Sequence, residues 1–394
     1  MTPPFELPGD RHTAKLLPID VEYLEHVLVE LLRTPSPSGR TDHIVQRIGD
    51  EMVRLGIPVE LTRRGVLLGE LKGVESGPDR AIIAHADTLG CMVRALKPNG
   101  RLEIVPIGTY SARFVEGARV VIYVDNLHRT YTGTILPLKA SGHRYGDEIN
   151  TFPIGWEHIE VRVDERVENA DDLDALGIRV GDFVALDSEV VVTPSGYVNA
   201  RHLDDKAGVA SLLAAMAAVT EHEVELPVDL HLLVTIAEEV GLGASHGLDA
   251  DVAELVSVDN AVVAPDQHSS EHTVNLAMQD STGPFDYHLT RRLIGLCETH
   301  DIPCRRDVYG YYRSDAASAL EAGAETRAAL VAFGVDASHG YERTHLDSLR
   351  HTAELLALYV QTDLTFWRWD SHARGELRAV PSTLVQPADD QGPR

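Results

Sequence analysis

Apolar residues recur at helical spacing between Val21 and Leu32. Leu24, Val27, Leu28, Leu31 and Leu32 share one face, and Asp20 stands where an N-cap belongs. The TPSPSG run at 34–39 breaks this helix, and a second amphipathic helix is predicted near Thr41–Leu55, with Ile44, Ile48, Met52 and Leu55 aligned. Strand-like runs follow at Val59–Thr62, Gly65–Leu71 and Ala81–Ala84. From about Met92 to Val198 the pattern changes to short alternating runs: Leu102–Pro106, Ala118–Tyr123, Thr130–Leu136, Glu160–Val163, Phe183–Leu186 and Glu189–Thr193. Turn clusters such as PNG, SGHRYGDE and TPSG separate them, which is the pattern of a compact β module. Beyond it, helices and apolar strands alternate again. Helices are predicted at Lys206–Val219, Pro284–His300, Ala316–Ala322 and Leu346–Thr362. Strands are predicted at Val228–Ile236, Leu255–Val258, Cys304–Val308 and Ala328–Val335.

This order predicts an α/β fold: a mostly parallel central sheet covered by helices on both faces, with a small all-β domain inserted. The expected division is 1–91 and 199–370 for the two parts of the α/β domain and 92–198 for the insertion. A disordered tail is expected at 371–394.

Composition narrows the partners. The 394 residues are 44% apolar, enough for a soluble core in two or three domains. Lys and Arg total 35 against 61 Asp and Glu, a net charge of −26. Nucleic acid and anionic membranes repel such a chain, so neither is expected as a partner, while metal ions and amino-bearing substrates remain open. No apolar run approaches the length of a membrane span, and the first residues carry no apolar signal core. The three cysteines, Cys91, Cys297 and Cys304, lack CxxC spacing, which argues against a disulfide framework or a cysteine zinc site. A cytoplasmic protein is expected.

Five segments carry candidate chemistry. IIAHADTLG is an apolar strand ending at His85, with Asp87 two residues on. ARHLDDKAG sets Asp204 and Asp205 at the mouth of a helix. LLVTIAEEVGLGAS ends a strand at Glu238 and Glu239 before a glycine-rich turn. ELVSVDNA ends a strand at Asp259, and LVAFGVDASHGYERTH follows a strand with His339. Ligands gather at the carboxyl ends of strands in open α/β sheets, and helix mouths favour anions. Each segment alone reads as a cap or a solvated turn; their coincidence does not.

Two histidines and several carboxylates without cysteine suit zinc, cobalt or manganese. One site would hold His85, Asp204 and Asp259, the other Asp204, Glu239 and His339, with Asp204 bridging. Glu238, beside a ligand, is placed to act as general base on a water between the ions, and Asp87 to orient the His85 imidazole. Lys206 reads either as a surface residue or as local charge balance for Asp204 and Asp205. Asp315 reads either as a helix cap or as a substrate contact.

At these residues the chain resembles the tetrahedral aminopeptidases, metallopeptidase family forty-two, also called glutamyl aminopeptidases. HAD at 85–87, DDKAG at 204–208, EEVGLGA at 238–244, the strand to Asp259 and HGYE at 339–342 match the family's ligand order. So do GPFDYHLTRRLIGLCETHDIP at 283–303 and RSDAA at 313–317. The resemblance covers about residues 20–365 and implies a zinc-peptidase/phosphorylase-like fold and a dinuclear aminopeptidase acting on short peptides. It assigns His85 and Asp259 to one metal, Glu239 and His339 to the other, Asp204 to the bridge and Glu238 to the base. It further implies a homo-oligomer, a dodecamer built from dimers, with the β module at interfaces. Glu342 follows His339 by three residues instead of four, and His345 lies nearby, so His339 is preferred over His345 as the last ligand. Arg313 and Ser314 replace the usual Gly-Thr. These departures mark a subgroup, which the resemblance links to peptidases accompanying synthesis of a small amidated dipeptide osmolyte.

Three other functions stay open on the residues. A deacylase or amidase of N-acyl amino acids would use the same metals. A non-enzymatic binder would not need Glu238. A carboxylate-pair glycosidase would not need the histidines.

Overall fold

The structure is a computed structural model that describes residues 11–125 and 129–366. The expected tail at 371–394 lies outside the described residues.

Two bodies are built from one chain. The larger is a sheet ordered Val59–Leu61, Leu67–Leu71, Leu226–Thr235, Gly73–His85, Val252–Val263, Arg327–Asp336, Glu342–His345, Tyr197–Ala200, Val191–Val192. Val274–Asp280 also pairs with Arg327–Asp336 and carries Cys304–Val308 beside it. The four central strands are parallel: Leu226–Thr235, Gly73–His85, Val252–Val263 and Arg327–Asp336. Both flanks turn antiparallel. The expected mostly parallel sheet is therefore a mixed one. Short edge strands joined by local turns pair antiparallel, because a parallel neighbour needs a long crossover.

The central strands read as continuous apolar runs because helices cover both faces. On one face Ile82, Leu232, Val258 and Phe333 pack with the helices Val21–Leu32, Leu203–Glu221 and Leu346–Tyr359. On the other, Ala81, Ile83, Leu233 and Leu255 pack with Ala319 of the helix Asp315–Glu321. Leu203–Glu221 lies in the middle of this layer and is buried almost all round, so its sequence shows no polar face. Helix Val21–Leu32 has its predicted bounds; Asp20 caps it by accepting from the Tyr23 N–H at 3.0 Å.

The smaller body is a closed barrel of Gly90–Leu96, Leu102–Ile107, Ile159–Val163, Thr130–Pro137, Arg119–Tyr123 and Phe183–Leu186. Its own core contains Val93, Ile104, Ile122, Ile135 and Val161. The barrel closes at Leu186. Val191–Val192 and Tyr197–Ala200 pair instead at the edge of the large sheet, so the boundary expected at 198 moves back by about a strand pair. Alternation alone cannot say which sheet a short strand joins.

Candidate active site

His85 ends its strand with its side chain buried. Its Nδ1 lies 3.0 Å from the Asp87 carbonyl oxygen, which can only accept, so Nδ1 carries the proton. The Nε2 lone pair then faces Asp204 Oδ1 at 3.1 Å. His339 is arranged alike. Its Nδ1 donates to the Thr109 carbonyl at 3.0 Å, and its Nε2 lies 3.4 Å from Asp204 Oδ2 and 3.6 Å from Glu239 Oε2. Asp204 thus sits between two imidazoles that both present Nε2. His85, Asp204 and Asp259 each offer an atom within 4.8 Å of the others, and so do Asp204, Glu239 and His339. These are the two groups expected from the sequence.

Asp259 does not end its strand. Val252–Val263 continues past it, paired with Arg327–Asp336, while the neighbouring strand stops at His85. The step between the two strand ends opens the side of Asp259 to the site.

Four further residues hold this geometry. The Asp87 carboxylate accepts from the backbone N–H of Glu238 at 3.1 Å and of Glu239 at 3.3 Å, and from Ser38 Oγ at 2.5 Å. Its carbonyl, not its carboxylate, makes the hydrogen bond to His85, so Asp87 positions both the imidazole and the Glu238–Glu239 turn. Asn260 donates to Asp204 Oδ2 at 2.7 Å. Glu342 is buried and accepts from the His339 N–H at 2.8 Å and the Asp204 N–H at 3.2 Å, tying two chain-distant residues together. Asp315 is buried, with Oδ2 accepting from Thr235 Oγ1 at 2.5 Å and Oδ1 from the Ala244 N–H at 2.6 Å. It fastens the Glu238–Glu239 turn from behind, which its cap and substrate readings did not foresee.

The glycine-rich turn follows from this fastening. A Cβ on Gly243 would meet Asp315 Oδ1 at 1.6 Å. Gly243→Ala is expected to destabilise the fold by roughly 1–3 kcal/mol through overpacking and to displace the turn. A thermal unfolding midpoint equal to the wild type would refute this contact.

His345 takes no part in the cluster. Its Nε2 bonds to the Ser195 carbonyl at 2.8 Å, and its Nδ1 accepts from the Asp347 N–H at 3.0 Å, capping the last helix. Lys206 is not a surface residue: it is buried, with Nζ donating to the Thr34 carbonyl at 2.6 Å, and burial pushes its ammonium down to about 7.

Electrostatics tests whether cations fit. Burial, with Asp204 next, pushes Asp259 up to about 8 and Glu342 up to about 8. Glu238 and Glu239 are raised well above the carboxylate range, by burial first and then by neighbouring acids. Burial acts the same way on Asp204, but the neighbouring His339 and His85 outweigh it and hold that carboxyl low. Burial would lower His339, yet Asp204 and Glu239 raise it to about 10. Crowded buried acids of this kind repel one another unless a cation lies among them. Asp205 Oδ1 and Asn260 Oδ1 are buried without a hydrogen-bond partner. Oxygen-rich groups with one imidazole each fit divalent ions.

Comparison with known proteins decides the class. The chain matches the profile of the M42 glutamyl aminopeptidases over residues 65–355. It is 38% identical over 338 residues to YhfE of Bacillus subtilis, an inferred aminopeptidase, across 86% of this chain and 97% of that one. The chain belongs to the M42 family. It is a metal-dependent aminopeptidase, a peptide hydrolase, and the deacylase and binder readings are not favoured. The M42 fold extends to solved structures of low identity. An aminopeptidase of the archaeon Desulfurococcus kamchatkensis superposes with a TM-score of 0.78 at 22% identity, over 90% of this chain and 98% of that one. The TET1 peptidase of Pyrococcus horikoshii, which can assemble into a tetrahedron or a large octahedral shell, gives 0.75 at 20% identity, over 86% and 99%.

Proposed function

We propose that this M42 chain removes uncharged residues from the amino terminus of short peptides at a centre of two divalent metal ions, zinc, cobalt or manganese. The observation that carries the reading is that Asp204 lies within reach of both imidazole Nε2 atoms, at 3.1 and 3.4 Å, so that the two ligand groups share it. His85, Asp204 and Asp259 would hold one ion, and Asp204, Glu239 and His339 the other. Bound there, such ions polarise a carbonyl and make water acidic enough to attack at neutral pH. Glu238 belongs to neither group and faces the same cavity, so it receives the proton of the attacking water and returns it to the leaving amine. Asp87 and Asp315 keep Glu238 in place from two sides.

Substrate class follows from the walls. The cavity has a volume of 1180 Å³ and is lined largely by neutral groups, including Phe114, Val262, Tyr309 and Tyr311. Among the described residues, Arg313 is the one charged lining residue outside the cluster, and it is paired with Glu321 at 2.7 Å. A charged first side chain would be desolvated without a partner. The test is a panel of free and N-blocked amino-acyl anilides with each metal after chelation. Phenylalanyl and leucyl anilides are expected to exceed glutamyl and lysyl ones by ten-fold or more, and blocked substrates to be inert. Faster cleavage of N-acyl substrates would sink the reading.

The barrel is proposed to serve assembly into a homo-oligomer of dimers, up to a dodecamer, in the cytoplasm. It also reaches the centre, because Thr109 supplies the carbonyl that orients His339. A monomeric mass by light scattering would remove the assembly role.

A further inference from the structure

The segment between the strand Cys304–Val308 and the helix Asp315–Glu321 brings three tyrosines to the cavity wall. Two of their environments are ordinary. Tyr309 bonds its hydroxyl to Ser269 Oγ at 2.7 Å, and Tyr311 stands in solvent. Tyr312 differs. Its hydroxyl is buried beside the Asp259 carboxylate and makes no well-formed hydrogen bond among the described residues, although it lines the same cavity as Glu238 and Asp204. Buried hydroxyls are nearly always paired, so an orphan that faces a cavity calls for a ligand.

The ring is held firmly. It packs edge-on against Tyr309 with centroids 5.3 Å apart and lies against the cluster of Ala261, Ala277, Leu330 and Ala332. Its backbone carbonyl accepts from the Ser281 N–H at 2.9 Å. Two neighbouring donors on the cavity wall are engaged elsewhere: Tyr110 donates to the Gly90 carbonyl at 2.6 Å, and Arg313 Nη2 to Glu321 at 2.7 Å. A phenol donates one hydrogen bond and stays protonated at neutral pH.

We propose that Tyr312 is a catalytic residue: its phenol O–H donates to the carbonyl oxygen of the scissile peptide as that oxygen becomes an oxyanion. This rests on the reading of the carboxylate cluster as the peptidase centre. No bond to Tyr312 forms or breaks; the proton stays on its oxygen while the carbon goes from trigonal to tetrahedral. A donor aimed at the developing charge lowers the barrier without strengthening ground-state binding.

The test is Tyr312→Phe in the metal-loaded full-length chain, assayed with a leucyl anilide. We expect kcat to fall about 10²-fold with KM within about two-fold, and metal content to stay equal to the wild type. An α-aminoboronic acid, which becomes a tetrahedral anion on binding, should lose affinity by a similar factor, while the free amino acid product binds as before. Unchanged kcat would overturn the proposal. So would a loss of metal that excess metal reverses together with activity, because Tyr312 would then only steady Asp259. The Glu238→Gln protein separates the two levels. If it also keeps full turnover, the reading of the centre fails; if it is inactive and Tyr312→Phe is not, only the role of Tyr312 fails.

Discussion

Replacing Glu238 with Gln is expected to leave a folded protein that binds its metals and hydrolyses peptides about 10²–10⁴ times more slowly, the range of general acid–base catalysis. Gln keeps the shape and hydrogen bonds of Glu but cannot take a proton. The side chain is 11% exposed and lies 3.9 Å from His85 Nε2, near both ligand groups without belonging to either. Burial, then Asp259, Asp315 and Glu239, raise its carboxyl, and a more basic carboxylate is a better proton acceptor. Turnover with an amino-acyl anilide and metal content by elemental analysis are read on the same sample. Full turnover with full metal content would remove Glu238 as the base.

Asp204→Ala is expected to abolish binding of both ions together, whereas His339→Ala removes a ligand from one group only. The distinction comes from sharing: Asp204 Oδ1 faces His85 and Oδ2 faces His339, with Asn260 steadying Oδ2. Activity is expected to fall at least as far as in Glu238→Gln, because the attacking water loses its activation along with the ions. Stability should report the same event. Ions bound at about 1,000 times their dissociation constant stabilise by about 4 kcal/mol, so chelation should lower the wild-type unfolding midpoint clearly. The Asp204→Ala midpoint should not respond to chelator. Retention of one tightly held ion by Asp204→Ala would show that the groups do not share this residue.

Much of the proposed centre is legible in the sequence. His85, Asp204, Glu238, Glu239 and His339 stand beside turns or at helix mouths, where a short motif marks its own place in an α/β sheet. The residues that brace them were not legible in the same way. Glu342 was visible only as a departure in spacing, but it joins the His339 turn to the Asp204 backbone across 138 positions. Asp315 looked like a cap and proved to anchor a turn 71 positions away. Asn260 and Tyr312 carry no motif. Their importance lies in which oxygen they approach, and spacing along a chain does not encode that.

The strand at Asp259 shows the same limit. Its apolar run predicted a strand, but its true end at Val263 depends on the neighbour that continues beside it. Likewise Lys206 was undecided between surface and site until the burial of its whole helix removed the surface.

Most helices, the central strands, the inserted β module and the residue types proposed for the centre were legible in the sequence alone, because periodicity and turn chemistry act over a few residues. The strands Gly90–Leu96, Val274–Asp280 and Glu342–His345 were not. Tertiary structure decided which sheet the strands at 191–200 join and that Asp87 works through its carbonyl as well as its carboxylate. It also decided that the barrel reaches the centre through Thr109. Those outcomes depend on contacts between segments far apart in the chain, and only packing of the whole fold brings such segments together.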